Sequence, residues 1–481
     1  MLSKDVLFKP MLQLASGRAL GFASTFMIPV VLVRVLDQHE FGTYKQLFLV
    51  YATLFGIAPL GMAECLYYFL PLDRMRSARF VANSLLALLA TGLVSLVLLV
   101  LARHALADGM ENPSFAAHTT LLGLFVALTM MAAVTEIVMI ARNRHRLSAT
   151  SYAASDLVRA LCLMIPAAIW RDVHAVMMGA VGFACARAAL TVLYLRSEFG
   201  RELVPDLALL RRQLAYALPF AAAVTLEITQ GSLHQFVVAH SFDTSTFAIY
   251  SVGCLQIPLV DFVATGAGSV LMVKMAERTG AGERGARLEL WHEAVRKLAT
   301  LLLPLVALLF AAGRELIVFL FTDSFRASVP VFLIASLSIA FAALPTDSAL
   351  RSYGETGVLL RMNVVRLTVV AASIYPLLAW LGLAGAALSM VLGTVAVKMV
   401  AMVRLRTLLE VGVSELLPWR DLAGTLALSS AAGVLAWGAK NLLSSNFASM
   451  TLAGVVFVAA YLAGLRGLGT SNGSPPAAPA V

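Results

Sequence analysis

The chain reads as an all-α polytopic membrane protein with about fourteen transmembrane helices, and three observations lead there. Hydrophobic residues fill 60% of its 481 positions and charged residues 13%, against about 25% charged in a soluble domain. The apolar residues come in runs of about 20, enough at 1.5 Å per residue to cross a hydrocarbon core of about 30 Å. Lysine and arginine gather at alternate connections between those runs, the bias that sets topology in a bilayer.

The spans fall near residues 11–36, 43–70, 81–102, 118–141, 149–170 and 174–195, then 213–240, 248–273, 298–321, 330–350, 358–381 and 385–403, with two more near 421–438 and 449–465. Lys4 and Lys9 precede a first run longer than a signal-peptide core, so it reads as an uncleaved span. Pro59 and Gly61 are expected to break the second span. Gly313, Arg314 and Glu315 interrupt the ninth. With a cytoplasmic N-terminus, the inner connections hold Arg74, Arg76 and Arg79; Arg142, Arg144 and Arg146; Arg196, Arg201, Arg211 and Arg212; and the basic stretch Lys274 to Lys297. The outer connections hold scattered cations such as Arg103, Arg171 and Lys440. Both termini are therefore expected on the cytoplasmic side. Trp170, Trp380 and Trp437 fit an outer interfacial belt and Trp419 an inner one. LELWHEAVRK, before the ninth span, has an amphipathic pattern suited to the membrane surface. The low-complexity tail SNGSPPAAPAV is expected to be disordered.

The same features exclude several classes. The net charge of +9 lacks a basic stripe with interleaved aromatics and is explained by the inner connections, so no nucleic acid is expected. Cys65, Cys162, Cys185 and Cys254 lie inside apolar runs without C-x-x-C spacing, which argues against disulfides and metal. No H-E-x-x-H, nucleotide-binding loop or large extramembrane segment is present, so an enzyme is not expected.

The chain carries an internal repeat. Asp37, Phe41 and Tyr44 in VRVLDQHEFGTYKQ recur as Asp243, Phe247 and Tyr250 in AHSFDTSTFAIYSV, a shift of 206 residues. Asp156-Leu-Val-Arg159 recurs as Asn363-Val-Val-Arg366 at nearly the same shift. Six spans separate the copies, so they are parallel repeats. The expected organisation is an N-lobe at 1–206, a C-lobe at 207–410, two further spans at 411–468 and a tail at 469–481. Asp37 and Asp243 are expected to cap the helices that follow them.

Charge inside the spans marks candidate sites, because an ionised group at mid-membrane costs about 2.5–3.5 kcal/mol on insertion scales. Arg18 lies near mid-depth of the first span between Gly17 and Gly21, with Thr25 on its face. It reads as a cavity cation for an anionic group, or as an arginine reaching back to the headgroups. Arg159, Arg366 and Lys45 are weaker candidates of the same type. Asp156, at i−3, offers Arg159 a local partner. Glu227, Gln230, Gly231 and His234 follow helical spacing on the seventh span. They form either a lining stripe or a set of interhelical hydrogen bonds. Glu227, with Asp261 of the eighth span and Glu64 at the broken second span, could exchange a proton or sodium ion. For Glu136 and Arg187, mutual or local pairing is expected.

Several stretches resemble the polysaccharide transporter (oligosaccharide flippase) family of the multidrug/oligosaccharidyl-lipid/polysaccharide flippase superfamily. They are IPVVLVRVLDQHEFGTYKQLFLVYATLF, PLGMAECLYYFLP, RELIVFLFTDSF and GETGVLLRMNVVRLTVVAASIYPLLAWLGLAGAALSMVLG. The resemblance covers residues 1 to about 410. It implies two six-helix lobes around a central cavity. It also implies alternating-access movement of a polyprenyl-diphosphate-linked glycan to the outer leaflet of a bacterial inner membrane. Arg18, Lys45, Arg159 and Arg366 are then its diphosphate-binding candidates, and H+ or Na+ the coupling ion in place of any cofactor. Glycosyltransferases and a polymerase of the pathway are the expected partners, and the last two spans would form a lipid-facing groove. A drug or cation antiporter of the same superfamily and a non-transporting scaffold for polysaccharide assembly are the rival readings.

Overall fold

A computed structural model describes residues 21–280, 284–443 and 445–471. These residues are helical with short connections, and no strand occurs among them. Their contacts divide the chain into two compact units, between Ser251 and Val252.

The first unit begins with α1 (Gly21–Val35) and α2 (Gln38–Ile57). Asp37 caps α2 as expected, its Oδ1 accepting from the Glu40 amide at 2.8 Å. The second span then breaks at Ala58–Cys65, where Leu60 and Gly61 take positive φ values of 51° and 70°. It resumes as α3 (Leu66–Leu72). The break is the one Pro59 and Gly61 foretell. Next come α4 (Ser77–Leu101), the short helix α5 (Arg103–Gly109), and a fourth span jointed at Ala133 into α6 (Phe115–Ala132) and α7 (Val134–Ala141). The fifth and sixth spans are α8 (His145–Trp170) and α9 (Val173–Phe199). The unit closes with the 35-residue α10 (Leu207–Ser241) and most of α11 (Thr244–Gly253).

The seventh span, α10, thus packs with the first six, against α2 and α4. Two polar clusters hold it there. Near its start the buried Gln213 donates to Ser84 Oγ and the Phe80 carbonyl, each at 3.1 Å, and accepts from Asn83. Ser84 in turn reaches the Met62 carbonyl inside the second-span break at 2.7 Å. At the other end His240 Nδ1 binds the Gly109 carbonyl at 3.0 Å. There, too, the two copies of the repeat meet. A Cβ on Gly42 would lie 2.2 Å from the Thr244 carbonyl oxygen, so only glycine permits this approach. Phe41 and Tyr44, like Phe247 and Tyr250, are buried. In both copies the amide four residues after the aspartate closes the first turn at 2.9 Å, Phe41 onto Asp37 and Phe247 onto Asp243. Asp243 caps α11 through Ser245 and Thr246. The Thr246 hydroxyl, and then the backbone amides, hold its carboxyl below the usual aspartate range.

Buried charge in this unit is paired. Glu136 of α7 bonds Arg187 of α9 and accepts from Ser151 of α8 at 2.6 Å, so one carboxylate joins three helices. At one end, Arg144 and Arg142 flank Glu198 at 2.8 and 3.5 Å. The aromatic stripe Phe41, Tyr44, Phe48, Tyr51 and Phe55 runs along α2, with Phe48 and Tyr51 against Phe125 of α6.

The second unit contains α12 (Pro258–Gly280), α13 (Arg284–Phe321), a tenth span jointed into α14 (Val329–Ala342) and α15 (Thr346–Ser352), and the hairpin of α16 (Thr356–Leu381) and α17 (Leu383–Leu409). The short α18 (Val413–Leu416) leads to α19 (Trp419–Lys440) and α20 (Asn446–Ser471). The eighth span breaks at residues 254–257, between α11 and α12, which the sequence reading does not anticipate. The amphipathic segment before the ninth span is continuous with it in one 38-residue helix. Its Trp291 is fully buried and donates to the Leu416 carbonyl at 2.8 Å, so α18 and its flanks cover the face expected at the membrane surface. Gly313 to Glu315 do not interrupt the helix, because Glu315 pairs with Lys440 of α19 at 2.9 Å. The α19–α20 pair packs on α13, with Tyr461 donating to the Thr300 carbonyl.

Eleven helices among the described residues are long and apolar enough to span a membrane. They match the third to sixth and eighth to fourteenth expected spans. The first span is described only from Gly21, the second is broken, and the seventh carries Arg211, Arg212, Gln213, Glu227, Gln230 and His234. The protein is an all-α, multi-pass membrane protein.

Glu136→Ala should destabilise the fold by about 3–5 kcal/mol by stranding Arg187, and Glu136→Ala with Arg187→Leu should recover much of that loss. Thermal unfolding of the purified variants measures both. Asp243→Ala should cost about 1 kcal/mol at neutral pH. The depressed Asp243 carboxyl contributes above the ordinary aspartate pKa and loses its contribution as pH falls through the folded value. The gap between parent and Asp243→Ala should therefore narrow as pH falls below the ordinary aspartate range.

Candidate substrate and ion sites

Arg159 and Arg366 occupy corresponding positions on two helical hairpins, one in each unit. In the first unit α8 pairs with α9, where a Cβ on Gly179 would fall 1.8 Å from the Cys162 carbonyl oxygen. In the second, α16 pairs with α17, and Gly385 sits as tightly on the Leu377 carbonyl. Gly179 and Gly385 are again 206 residues apart, a third anchor for the repeat.

The Arg159 side chain is 24% exposed. Its Nη2 lies 3.0 Å from Asp156 Oδ1 and donates to Thr25 Oγ1 at 2.8 Å. Asp156 in turn lies against Gly21, whose hypothetical Cβ would meet the carboxylate at 2.3 Å. Gly21, Thr25, Asp156 and Arg159 thus form one cluster where α1 crosses α8. The local partner anticipated for Arg159 is in place, so the cluster is neutral overall. Tyr44 and Tyr51 of the aromatic stripe lie within electrostatic reach of the guanidinium. Lys45 sits 5.5 Å from the centre of the Phe41 ring, a cation–π contact. Arg18 lies outside the described residues.

The stripe on α10 divides. Glu227 and Gly231 are exposed, and nothing lies within 4 Å of a Cβ at Gly231. Gln230 and His234 are buried. His234 Nδ1 is hydrogen-bonded to Tyr250 Oη at 2.8 Å, with the rings edge to face. Helical spacing places the four together, but α10 is long and touches different neighbours along its length. His234 therefore makes an interhelical hydrogen bond, Gln230 is buried, and Glu227 remains accessible. Glu64 is exposed in the second-span break.

In the second unit, Arg366 lies beside Gly393 of α17, where a Cβ would approach its Cγ to 3.3 Å. Lys398 of α17 donates to the Leu344 carbonyl at 2.8 Å and to Thr346 Oγ1 at 3.0 Å, across the tenth-span joint. Arg404 of the same helix pairs with Glu355. Asp261 is exposed in the first turn of α12, just after the eighth-span break, rather than in the middle of a continuous helix. No cluster of histidine, cysteine or carboxylate groups suited to a metal occurs among the described residues.

Sequence reasoning missed a buried cluster at the start of α2. Asn112 donates to Gln46 Oε1 at 2.7 Å and to Thr43 Oγ1 at 2.9 Å, and Gln46 donates to the Met110 carbonyl. Thr43 and Gln46 belong to the repeated stretch, but their partner lies over 60 residues away with no spacing signal.

The fold is shared with known transporters. Lipid II flippase MurJ, in an inward closed conformation, superposes with a TM-score of 0.77 at 10% identity, over 96% of this chain and 99% of that one. A multidrug resistance MATE family transporter of the MOP superfamily, inward-facing, gives 0.61 at 14% identity over 83% and 96%. A MOP superfamily transporter from Pyrococcus furiosus, described as having a binding pocket of reverse polarity, gives 0.56 at 14% over 84% and 96%. These proteins are flippases and transporters rather than enzymes. No curated protein sequence matches the chain. The model of the family described as polysaccharide biosynthesis protein matches residues 31–330, well over half of the sequence. The chain belongs to that family.

Proposed function

We propose that the protein is a flippase for a polyprenyl-diphosphate-linked oligosaccharide, such as a repeat unit of O-antigen, exopolysaccharide or capsule. It would move this lipid from the cytoplasmic to the outer leaflet of a bacterial inner membrane by alternating access, with both termini cytoplasmic. The observation that carries the reading is the extent of the shared fold within a polysaccharide biosynthesis family. The likeness to a lipid flippase takes in 96% of the chain, whereas the likenesses to the MATE family transporter and the Pyrococcus furiosus transporter quoted above take in 83–84%. A lipid-borne substrate is thus favoured over a drug or cation.

In this reading Arg18, Lys45, Arg159 and Arg366 engage the diphosphate. Arg159 holds Asp156 and Thr25 until an anion competes for its donors. A guanidinium suits this exchange, because its planar fork can face a carboxylate and a phosphate in turn. Glu227, Asp261 and Glu64, all exposed, are the groups left to couple H+ or Na+ movement. One charge crossing 100 mV supplies about 2.3 kcal/mol. Gln230 and His234 act on the substrate path only through the packing of α10.

Arg159→Ala should lower surface glycan at least about tenfold with normal membrane levels of the protein, and Arg159→Lys should restore part of it. Export at parental levels in both Arg159→Ala and Arg18→Ala would remove the diphosphate role. In proteoliposomes loaded with a labelled lipid-linked glycan, Glu227→Gln with Asp261→Asn should abolish the dependence of flipping on an imposed pH or sodium gradient. A gradient response that survives both changes would rule these carboxylates out. A MATE-like antiporter would instead exchange cationic drugs and leave the glycan untouched in the same vesicles.

A further inference from the structure

At the arginine-rich end of the first unit, two turns enclose a pocket that the transport reading does not use. Leu70 of α3, Arg74 and Ser77 line one side, and Ala141, Arg142 and Asn143 the other. Its volume is about 190 Å³. A volume of this size admits several waters, and so a phosphate and its first bridging atoms.

Both turns are built rather than loose. Asp73 accepts from the Arg76 amide at 3.2 Å, and Ser77 Oγ donates to the Arg74 carbonyl at 2.8 Å. Asn143, at φ 58°, ends α7 with two reverse bonds, from its own amide to the Ile140 carbonyl and from the Arg144 amide to the Met139 carbonyl. Those carbonyls are therefore satisfied. Arg142 is held by stacking over Phe199 and by Glu198, which faces its Nε at 3.5 Å and takes a closer bond from Arg144. Among the described residues Arg74 has no carboxylate partner. The two turns and the residues paired with them bring five arginines (Arg74, Arg76, Arg79, Arg142 and Arg144) against three carboxylates, Asp73, Glu198 and Asp206. The local field is positive.

The rim is apolar. Met75, between two arginines, is 92% exposed, and Leu72 is 56% exposed. A methionine presented so fully between two cations suits the boundary of headgroups and acyl chains, where the cations meet phosphates and the thioether meets hydrocarbon.

We propose that this pocket binds the phosphate of an anionic phospholipid, with Arg74, Arg142 and Asn143 as donors and Leu72 and Met75 in the adjoining acyl boundary. The phospholipid belongs to the leaflet on the arginine-rich side, which the positive-inside bias makes the cytoplasmic one. The site lies within one unit, so it holds whether or not the transported molecule is a glycolipid.

The test is lipid retention by the full-length protein, read by native mass spectrometry during titration with phosphatidylglycerol or phosphatidylcholine. The parent should retain phosphatidylglycerol preferentially. Arg74→Ala with Arg142→Ala should weaken it about tenfold or more, while Arg171→Ala, at the opposite end, should not. Asn143→Asp, which keeps a residue at ease in the left-handed conformation, should weaken it in the same direction. That variant decides the matter if the double alanine variant does not fold. Parental retention in Asn143→Asp and in a folded double variant overturns the proposal, as does equal loss of phosphatidylcholine. Competition by glycerol phosphate as effective as by phosphatidylglycerol would assign the pocket to a soluble anion. Displacement by a polyprenyl diphosphate, itself lost in the variants, would assign it to the substrate. Either result overturns the phospholipid assignment.

Discussion

A backbone amide or carbonyl cannot be left bare in hydrocarbon, and this chain breaks its helices inside the membrane region at several points. At two of these breaks polar side chains from neighbouring helices meet freed carbonyls. Lys398 caps the Leu344 carbonyl at the tenth-span joint. Ser84, held by Gln213, serves the Met62 carbonyl in the second span. The carboxylate of Glu136, just past the joint in the fourth span, is matched by Arg187 and Ser151. Much of the intramembrane charge is thus structural, and the transported molecule would meet only what these repairs leave accessible.

The division of labour follows burial. Glu136, Glu315, Gln213, Gln46 and His234 are buried and bonded. Glu64, Glu227 and Asp261 are exposed. Arg159 stands between the two groups, partly accessible yet held by a carboxylate and a hydroxyl. Such a group can trade partners without ever being uncompensated, which lowers the cost of keeping a cation in the membrane when no anion is bound.

Much of the fold was legible because its signals are local. Run length and charge bias reveal spans, Pro59 and Gly61 a break, and Asp37 and Asp243 helix caps. The eighth-span break carries a signal of the same kind in Gly253, Gln256 and Pro258, but apolar residues on both sides mask it. The ninth helix looked interrupted because Glu315 finds its partner 125 residues later, in Lys440. The site was less legible for the same reason. Helical spacing shows which groups share a face of α10, but only the neighbours decide that His234 meets Tyr250 while Glu227 stays open. Arg18 stays beyond this comparison, outside the described residues.

The close approach of Gly42 to Thr244 bears on how such a chain can be taken apart. The repeat in the sequence places its seam after residue 206, whereas packing places it after residue 251. Repeat and packing therefore disagree by α10 and most of α11. Cutting at the ancestral seam would separate α10 from Asn83 and Ser84 and uncover a glycine surface shaped to the other copy. Two halves made to reassemble should be cut in the connection after α11 instead, so that both copies of the motif travel in one fragment.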